Sequence, residues 1–136
     1  MTVTSNDTKV AVAGLIQFLE TTEAPEGLFA SDVFVDLSVP QWRLQADTGD
    51  SAVALRTDGH PWPGQIRVER LSQTNTGFVI EFEERWEADG QQWYCREMIR
   101  ADVVDNVIVE MAVSCTGDWD EATQREHAKA VRLLRA

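Results

Sequence analysis

Gln65–Cys115, QIRVERLSQTNTGFVIEFEERWEADGQQWYCREMIRADVVDNVIVEMAVSC, decides the fold. It contains four runs of strand-forming residues, Gln65–Thr74, Gly77–Ala88, Gln91–Val103 and Val107–Cys115, separated by the turn signals Asn75-Thr76-Gly77, Asp89-Gly90 and Asp105-Asn106. The pattern predicts one antiparallel meander. In the second run Phe78, Ile80, Phe82, Glu84 and Trp86 share a face because side chains alternate along a strand, and Val79, Glu81, Glu83, Arg85 and Glu87 share the other. Glu84 is therefore an acid in an apolar row. Glu97 repeats the anomaly in the third run, among Trp93, Cys95 and Ile99.

Strand pairing follows from the turns. A two-residue turn at Asp89-Gly90 sets Trp86 opposite Trp93 and Glu84 opposite Cys95 on the apolar face, with Glu83 opposite Arg96 on the wet one. A three-residue loop Val104-Asp105-Asn106 would set Val103 opposite Val107, Glu97 opposite Val113 and Cys95 opposite Cys115. The last strand then turns Val107, Val109, Met111, Val113 and Cys115 inward.

A chain of 136 residues with 43% hydrophobic content, five Trp and five Phe suits one domain, 7–136, behind a flexible tail, 1–6. Its apolar runs fall short of the roughly 20 residues that span a membrane, and Met1–Lys9 carries no leader pattern, so a cytoplasmic protein is expected. A net charge of −11 argues against nucleic acid, which is bound through Lys and Arg releasing counterions. Cys95 and Cys115 lack CxxC spacing and are expected as free thiols, although the register above would permit a cross-strand disulfide.

Outside the meander, Asp7–Glu23 has helical apolar spacing with Asp7 as its cap, and Pro25–Ala30 makes a single turn. Val33–Val39, closed by Pro40, is expected as an edge strand. The Asp47–Ser51 cluster caps a short helix through Arg56, and Asp58–Gly64 is a loop. Asp118 with Glu121 forms a capping box for a last helix to about Leu134, with Trp119 and Leu134 closing the apolar opening. The sum is an α+β domain in which the helices cover one face of a curved antiparallel β-sheet.

The order of helix, Leu28-Phe29-Ala30-Ser31-Asp32-Val33 entering a strand, short helix, and long hairpins ending in Thr116-Gly117-Asp118-Trp119-Asp120 resembles the nuclear transport factor 2-like superfamily, including its SnoaL-like and ketosteroid isomerase-like branches. The resemblance covers nearly the whole chain and implies a cone-shaped curved antiparallel β-sheet (a partly open barrel) with about three to four helices covering its concave pocket face, frequent dimers, and members that are isomerases, cyclases, epoxide hydrolases, dehydratases or binding modules. It places Glu97, in Glu97-Met98-Ile99-Arg100, at the position of the isomerase acid that donates a hydrogen bond to the enolate, with Met111 and Val113 as pocket neighbours. The isomerase general base falls on Leu37, one residue from Asp36, which argues against steroid isomerisation itself because one step along a strand reverses the face.

The candidate catalytic residues are Glu97, Glu84 and Asp36. A carboxyl in an apolar pocket has its pKa raised by desolvation and can act as a proton donor, whereas the competing reading is a buried acid satisfied by Arg96, Arg100, Tyr94 or a backbone amide. Asp36 competes with a turn-capping role. Candidate ligand-binding residues are Trp42, His60, Phe82, Trp86, Trp93, Met111 and Val113, the Trp residues for stacking and His60 because it sits in a Pro/Gly-rich loop, each against a plain core or surface role. There is no Gly-rich phosphate loop, Gly-x-Ser-x-Gly elbow or His pair at ligand spacing, so no cofactor and no metal are expected. The expectation is a cytoplasmic homodimer that performs cofactor-independent acid/base chemistry on a small apolar or aromatic ligand, without nucleic acid or membrane. The alternative is a non-catalytic binding or interaction module of the same fold.

Overall fold

Two turns whose central residues all adopt positive φ, Asp89-Gly90 (54° and 73°) and Asp105-Asn106 (52° and 69°), set the register of the sheet. Such turns match the right-handed twist of the strands they join. In the computed structural model, which describes residues 5–135 and the side chains of residues 8–135, they connect β4 (Gly77–Ala88), β5 (Gln91–Val104) and β6 (Val107–Cys115). The other elements are α1 (Ser5–Thr21), β1 (Phe29–Val39), β2 (Trp42–Ala46), α2 (Gly49–Gly59), β3 (Gly64–Gln73) and α3 (Glu121–Ala130). Among the described residues this gives three helices and one six-stranded sheet of order β2-β1-β6-β5-β4-β3. No helix is long and apolar enough to cross a membrane.

The β4–β5 hairpin has the expected register, with Trp86 opposite Trp93, Glu84 opposite Cys95 and Glu83 opposite Arg96. Gly77 begins it because nothing larger fits, since a Cβ there would lie 1.9 Å from the Ala101 carbonyl oxygen. The β5–β6 register differs from expectation. The turn holds two residues, Val104 faces Val107, and a bulge after Asp102 leaves Val109 unpaired, so Glu97 faces Cys115 and Ile99 faces Val113. The net slip is two residues, which keeps Met111, Val113 and Cys115 inward. Beyond the bulge the parity changes and Ile108, fully buried, replaces Val107 and Val109 on the inner face. A second bulge at Glu69 lies between β3 and β4. Both bend the sheet, since an extra residue on one strand increases local twist.

Further expectations are corrected. β1 is not an edge strand. Pro40 and Gln41, the latter at φ 62°, turn the chain back so that β2 covers β1, with Val39 opposite Trp42 and Leu37 opposite Leu44. The other flank of β1 pairs parallel with β6, which makes the sheet mixed rather than wholly antiparallel. The last helix is capped by Asp120, whose carboxylate accepts from the Thr123 amide at 2.8 Å, and it ends at Ala130. Trp119 pairs its backbone with Tyr94 and packs its ring on Tyr94 and His127, while Leu134 is 98% exposed, so neither closes the opening. α1 begins at Ser5, before the expected cap Asp7 and inside the expected tail 1–6, of which residues 1–4 lie outside the described residues.

α1 and α2 cover the concave face. Leu15, Phe18 and Leu19 of α1 and Ala52 of α2 join Val33, Val35, Phe78, Ile80, Ile99, Ile108, Met111 and Val113 in one core. Glu20 ties α1 to the edge strand by accepting from the Ile66 amide at 3.0 Å. Thr48 and Ser51 form a reciprocal capping box that fixes the start of α2 and hence the position of Arg56, two turns on. The core is closed along much of the cone and leaves space where α1, α2, β1 and the ends of β4–β6 converge.

Candidate active site

That space is a cavity of about 260 Å³. Leu15, Phe18, Leu19, Val35, Leu37 and Ile99 are among its apolar walls, and Arg56, His60, Glu84, Glu97, Cys115 and Asp118 are its polar members. An apolar cavity with a few convergent polar groups is the usual form of a small-molecule site.

Glu84 is 3% exposed and is held by Arg56 in a two-pronged ion pair, Nη2 to Oε1 at 2.6 Å and Nη1 to Oε2 at 3.2 Å. Arg56 also donates to the Leu19 carbonyl at 3.1 Å, which joins α2, α1 and β4 at one point. Burial works against the guanidinium charge, but Glu84 and, more weakly, Glu97 hold its pKa above the ordinary value. Removing either partner would strand a buried charge.

Glu97 has no such partner. Its Oε2 is buried and makes no hydrogen bond. Desolvation, then the neighbouring Glu84 charge and Cys115, push its carboxyl well above 4.5, and the nearby Arg56 only partly opposes this. Glu97 is thus biased toward its neutral, protonated form, an acid placed to donate into the cavity. His60, the C-cap of α2, packs edge-on against Trp86 at 4.3 Å and Trp62 at 5.6 Å. Burial first, and then the Arg56 charge, lower its pKa to about 4, so it is neutral as well. Asp118 stands at the mouth, where partial desolvation and Glu84 raise its carboxyl.

The cysteines are free thiols. Cys95 Sγ, Cys115 Sγ and a Glu97 oxygen lie within 4.8 Å of one another, one donor short of a closed tetrahedral zinc site, and they form a proton-sharing cluster. The Cys95 S–H faces both Cys115 and Glu84 Oε2, the latter at 3.5 Å. Cys95 is the thiol that stays protonated, because Cys115, burial and the two carboxyl groups all raise its pKa. Cys115 is the acidic partner, lowered to about 7 by the Cys95 hydrogen bond and by the Gly117 amide, which donates to its sulfur at 3.4 Å, against burial.

Of the sequence candidates, the fold brings Glu97, Glu84, His60, Met111 and Val113 to the cavity. It does not bring the rest. Asp36 is on the opposite face of β1, where two hydrogen bonds from Arg43, at 2.8 and 2.6 Å, hold its carboxyl below the usual range. Leu37, where the resemblance put the isomerase base, does line the cavity. Phe82 is 1% exposed within the core, and Trp86 and Trp93 stack on each other in a second cluster with Cys95 that backs His60. Trp42 is 68% exposed. Sequence reasoning missed Arg56 and Asp118. Arg56 ends a helix, where a cation is expected for the dipole alone, and Asp118 satisfied a capping pattern that Asp120 fulfils instead.

No family model matches the chain, and no curated protein matches it. Solved structures do. A nuclear transport factor 2-like protein from Anabaena variabilis ATCC 29413 superposes with a TM-score of 0.68 at 21% identity, over 87% of this chain and 96% of that one. An LEH-like epoxide hydrolase from M. tuberculosis gives 0.64 at 11% identity over 81% and 83%. A nuclear transport factor 2-like protein of unknown function from Burkholderia xenovorans LB400 gives 0.61 at 14% identity over 96% and 97%. With its helix-covered cone of six strands, this chain has the fold of the nuclear transport factor 2-like superfamily.

Proposed function

We propose that the chain is a cytoplasmic, homodimeric pocket protein that performs cofactor-independent acid/base chemistry on a small, largely apolar substrate bearing an oxygen. Glu97 is the acid. The observation that carries this reading is its Oε2, buried without a hydrogen-bond partner in the wall of an apolar cavity. An unpaired buried carboxyl costs stability that a ligand oxygen would recover by accepting its proton. Desolvation first, and then the charge of Glu84, which Arg56 only partly offsets, favour the proton on Glu97, and Asp118 at the mouth is placed to accept one in exchange. A donor and an acceptor across a dry cavity suffice for isomerisation, cyclisation or epoxide opening. The fold shared with an epoxide hydrolase supports that class of reaction.

Glu97→Gln and Glu97→Leu test this together. Gln keeps the shape without the acidity, so ligand binding largely persists while turnover falls by roughly 10²–10⁴-fold. Leu removes a buried polar group and leaves the fold as stable or more stable. A destabilisation by Leu beyond about 2 kcal/mol would mean that Glu97 satisfies a structural partner, and the scaffold or binding-module reading would replace this one.

A further inference from the structure

Cys115 is not needed for acid/base chemistry, yet it lines the same cavity beside Glu97. Its sulfur receives the Gly117 amide at 3.4 Å and lies against the Cys95 thiol, so donors surround a sulfur in the cavity wall. Such donors favour thiolate over thiol, and the thiolate is the nucleophile. Cys115 titrates at about 7, so a substantial share is thiolate at neutral pH. Glu97 belongs to this same cluster through one carboxyl oxygen, and its Oε2 is buried without a hydrogen-bond partner.

We propose that Cys115 adds to the carbonyl carbon of small apolar aldehydes held in the cavity, forming a reversible hemithioacetal whose oxygen takes its proton from Glu97. The proposal rests on the pocket reading above. The spacing selects the electrophile. Cys115 Sγ and the Glu97 oxygen lie within 4.8 Å. A nucleophile about 3–3.5 Å from a carbon and an acid about 2.7 Å from the attached oxygen can both reach a single C=O bond of about 1.2 Å at that separation. A conjugate acceptor has its reactive carbon several bonds from its oxygen. An epoxide opened from behind needs nucleophile and acid on opposite sides of the ring, farther apart than 4.8 Å. The step balances: a bond forms between sulfur and the carbonyl carbon, the π pair moves to oxygen, and the Glu97 proton follows it. Glu97 is left as the carboxylate, and reversal restores both groups. No oxidant or reductant is involved.

The test is carbon NMR of hexanal labelled at its carbonyl carbon, added to the full chain at neutral pH, with hexan-1-ol as a ligand of similar shape that cannot be attacked. The expected result is a new sulfur-bound tetrahedral carbon, distinct from the free hydrate. It should be displaced by hexan-1-ol, weaker but still formed in Cys95→Ala, absent in Cys115→Ser, and weaker in affinity by about tenfold in Glu97→Gln. Melting curves of Cys115→Ser and Cys115→Ala identify whichever variant is folded for the comparison. Hexanal that binds and is displaced by hexan-1-ol, but whose carbonyl carbon is unchanged, overturns the addition and leaves the pocket reading standing. If neither compound perturbs the protein, both fall. Persistence of the adduct in Cys115→Ser with loss in Cys95→Ala would reassign the nucleophile and overturn the proposal as stated.

Discussion

At the scale of single residues, two carboxyl groups in one inward row have been given opposite roles by their neighbours. Glu84 meets Arg56 and becomes half of a buried ion pair, whereas for Glu97 desolvation and the Glu84 charge outweigh the opposing Arg56 charge and favour the protonated form. Their mutants should differ accordingly. Arg56→Ala leaves Glu84 unpaired at 3% exposure and should cost about 3–5 kcal/mol in chemical denaturation. A loss under about 1 kcal/mol would mean that water reaches the site. For Glu97 the folded state holds a proton that the unfolded state releases, because its pKa is raised on folding. Its contribution is fully present below pH 4.5 and declines as pH rises toward the folded-state value. His60 runs the other way: its contribution is present above pH 6.5 and is lost as pH falls toward about 4. The difference between wild type and Glu97→Leu isolates the first effect, and the variant's advantage should grow from pH 5 upward. A difference independent of pH would show that Glu97 has no shifted pKa.

At the scale of elements, what the sequence made legible was whatever local chemistry determines. The β4–β5 pairing followed from Asp89-Gly90 and the alternation of Phe78, Ile80 and Phe82, because turn type and the buried face agree on one register. β2 was not legible, since its turn puts a left-handed conformation on Gln41, which carries none of the Gly or Asn signal of such turns. The β5–β6 bulge was hidden for a similar reason: Val107, Ile108 and Val109 are all strand formers, and any of them could have faced inward. Asp118 and Asp120 both fitted a helix cap, and only the chain's path over Tyr94 selects Asp120. Asp120→Ala should therefore cost about 1 kcal/mol in thermal melts, and Asp118→Ala much less. The reverse order would put the cap back on Asp118 and take it away from the cavity mouth.

At the scale of the whole molecule, the fold was legible because its periodicities are global, whereas the site depends on which far-apart residues meet. Arg56 and Glu84 are 28 positions apart and come from a helix and a strand, a relation that spacing cannot express. The outer sheet face remains to be accounted for. Met98 is exposed there, on the same face as Val79, Ala112 and Ser114 and beside the Arg96–Glu69 and Arg67–Glu83 ion pairs, a mixture that suits an isologous contact with a second copy. Sedimentation at micromolar concentration should show a dimer that Met98→Glu dissociates, and a monomeric wild type would contradict it. The central claim, that the cavity is built around a neutral acid, is tested most directly by carbon NMR titration of the glutamate carboxyl groups, with Glu97 assigned through Glu97→Gln. The account predicts a carboxyl that is still protonated at neutral pH and titrates well above 4.5, and a Glu97 signal that ionises at or below 4.5 would contradict it.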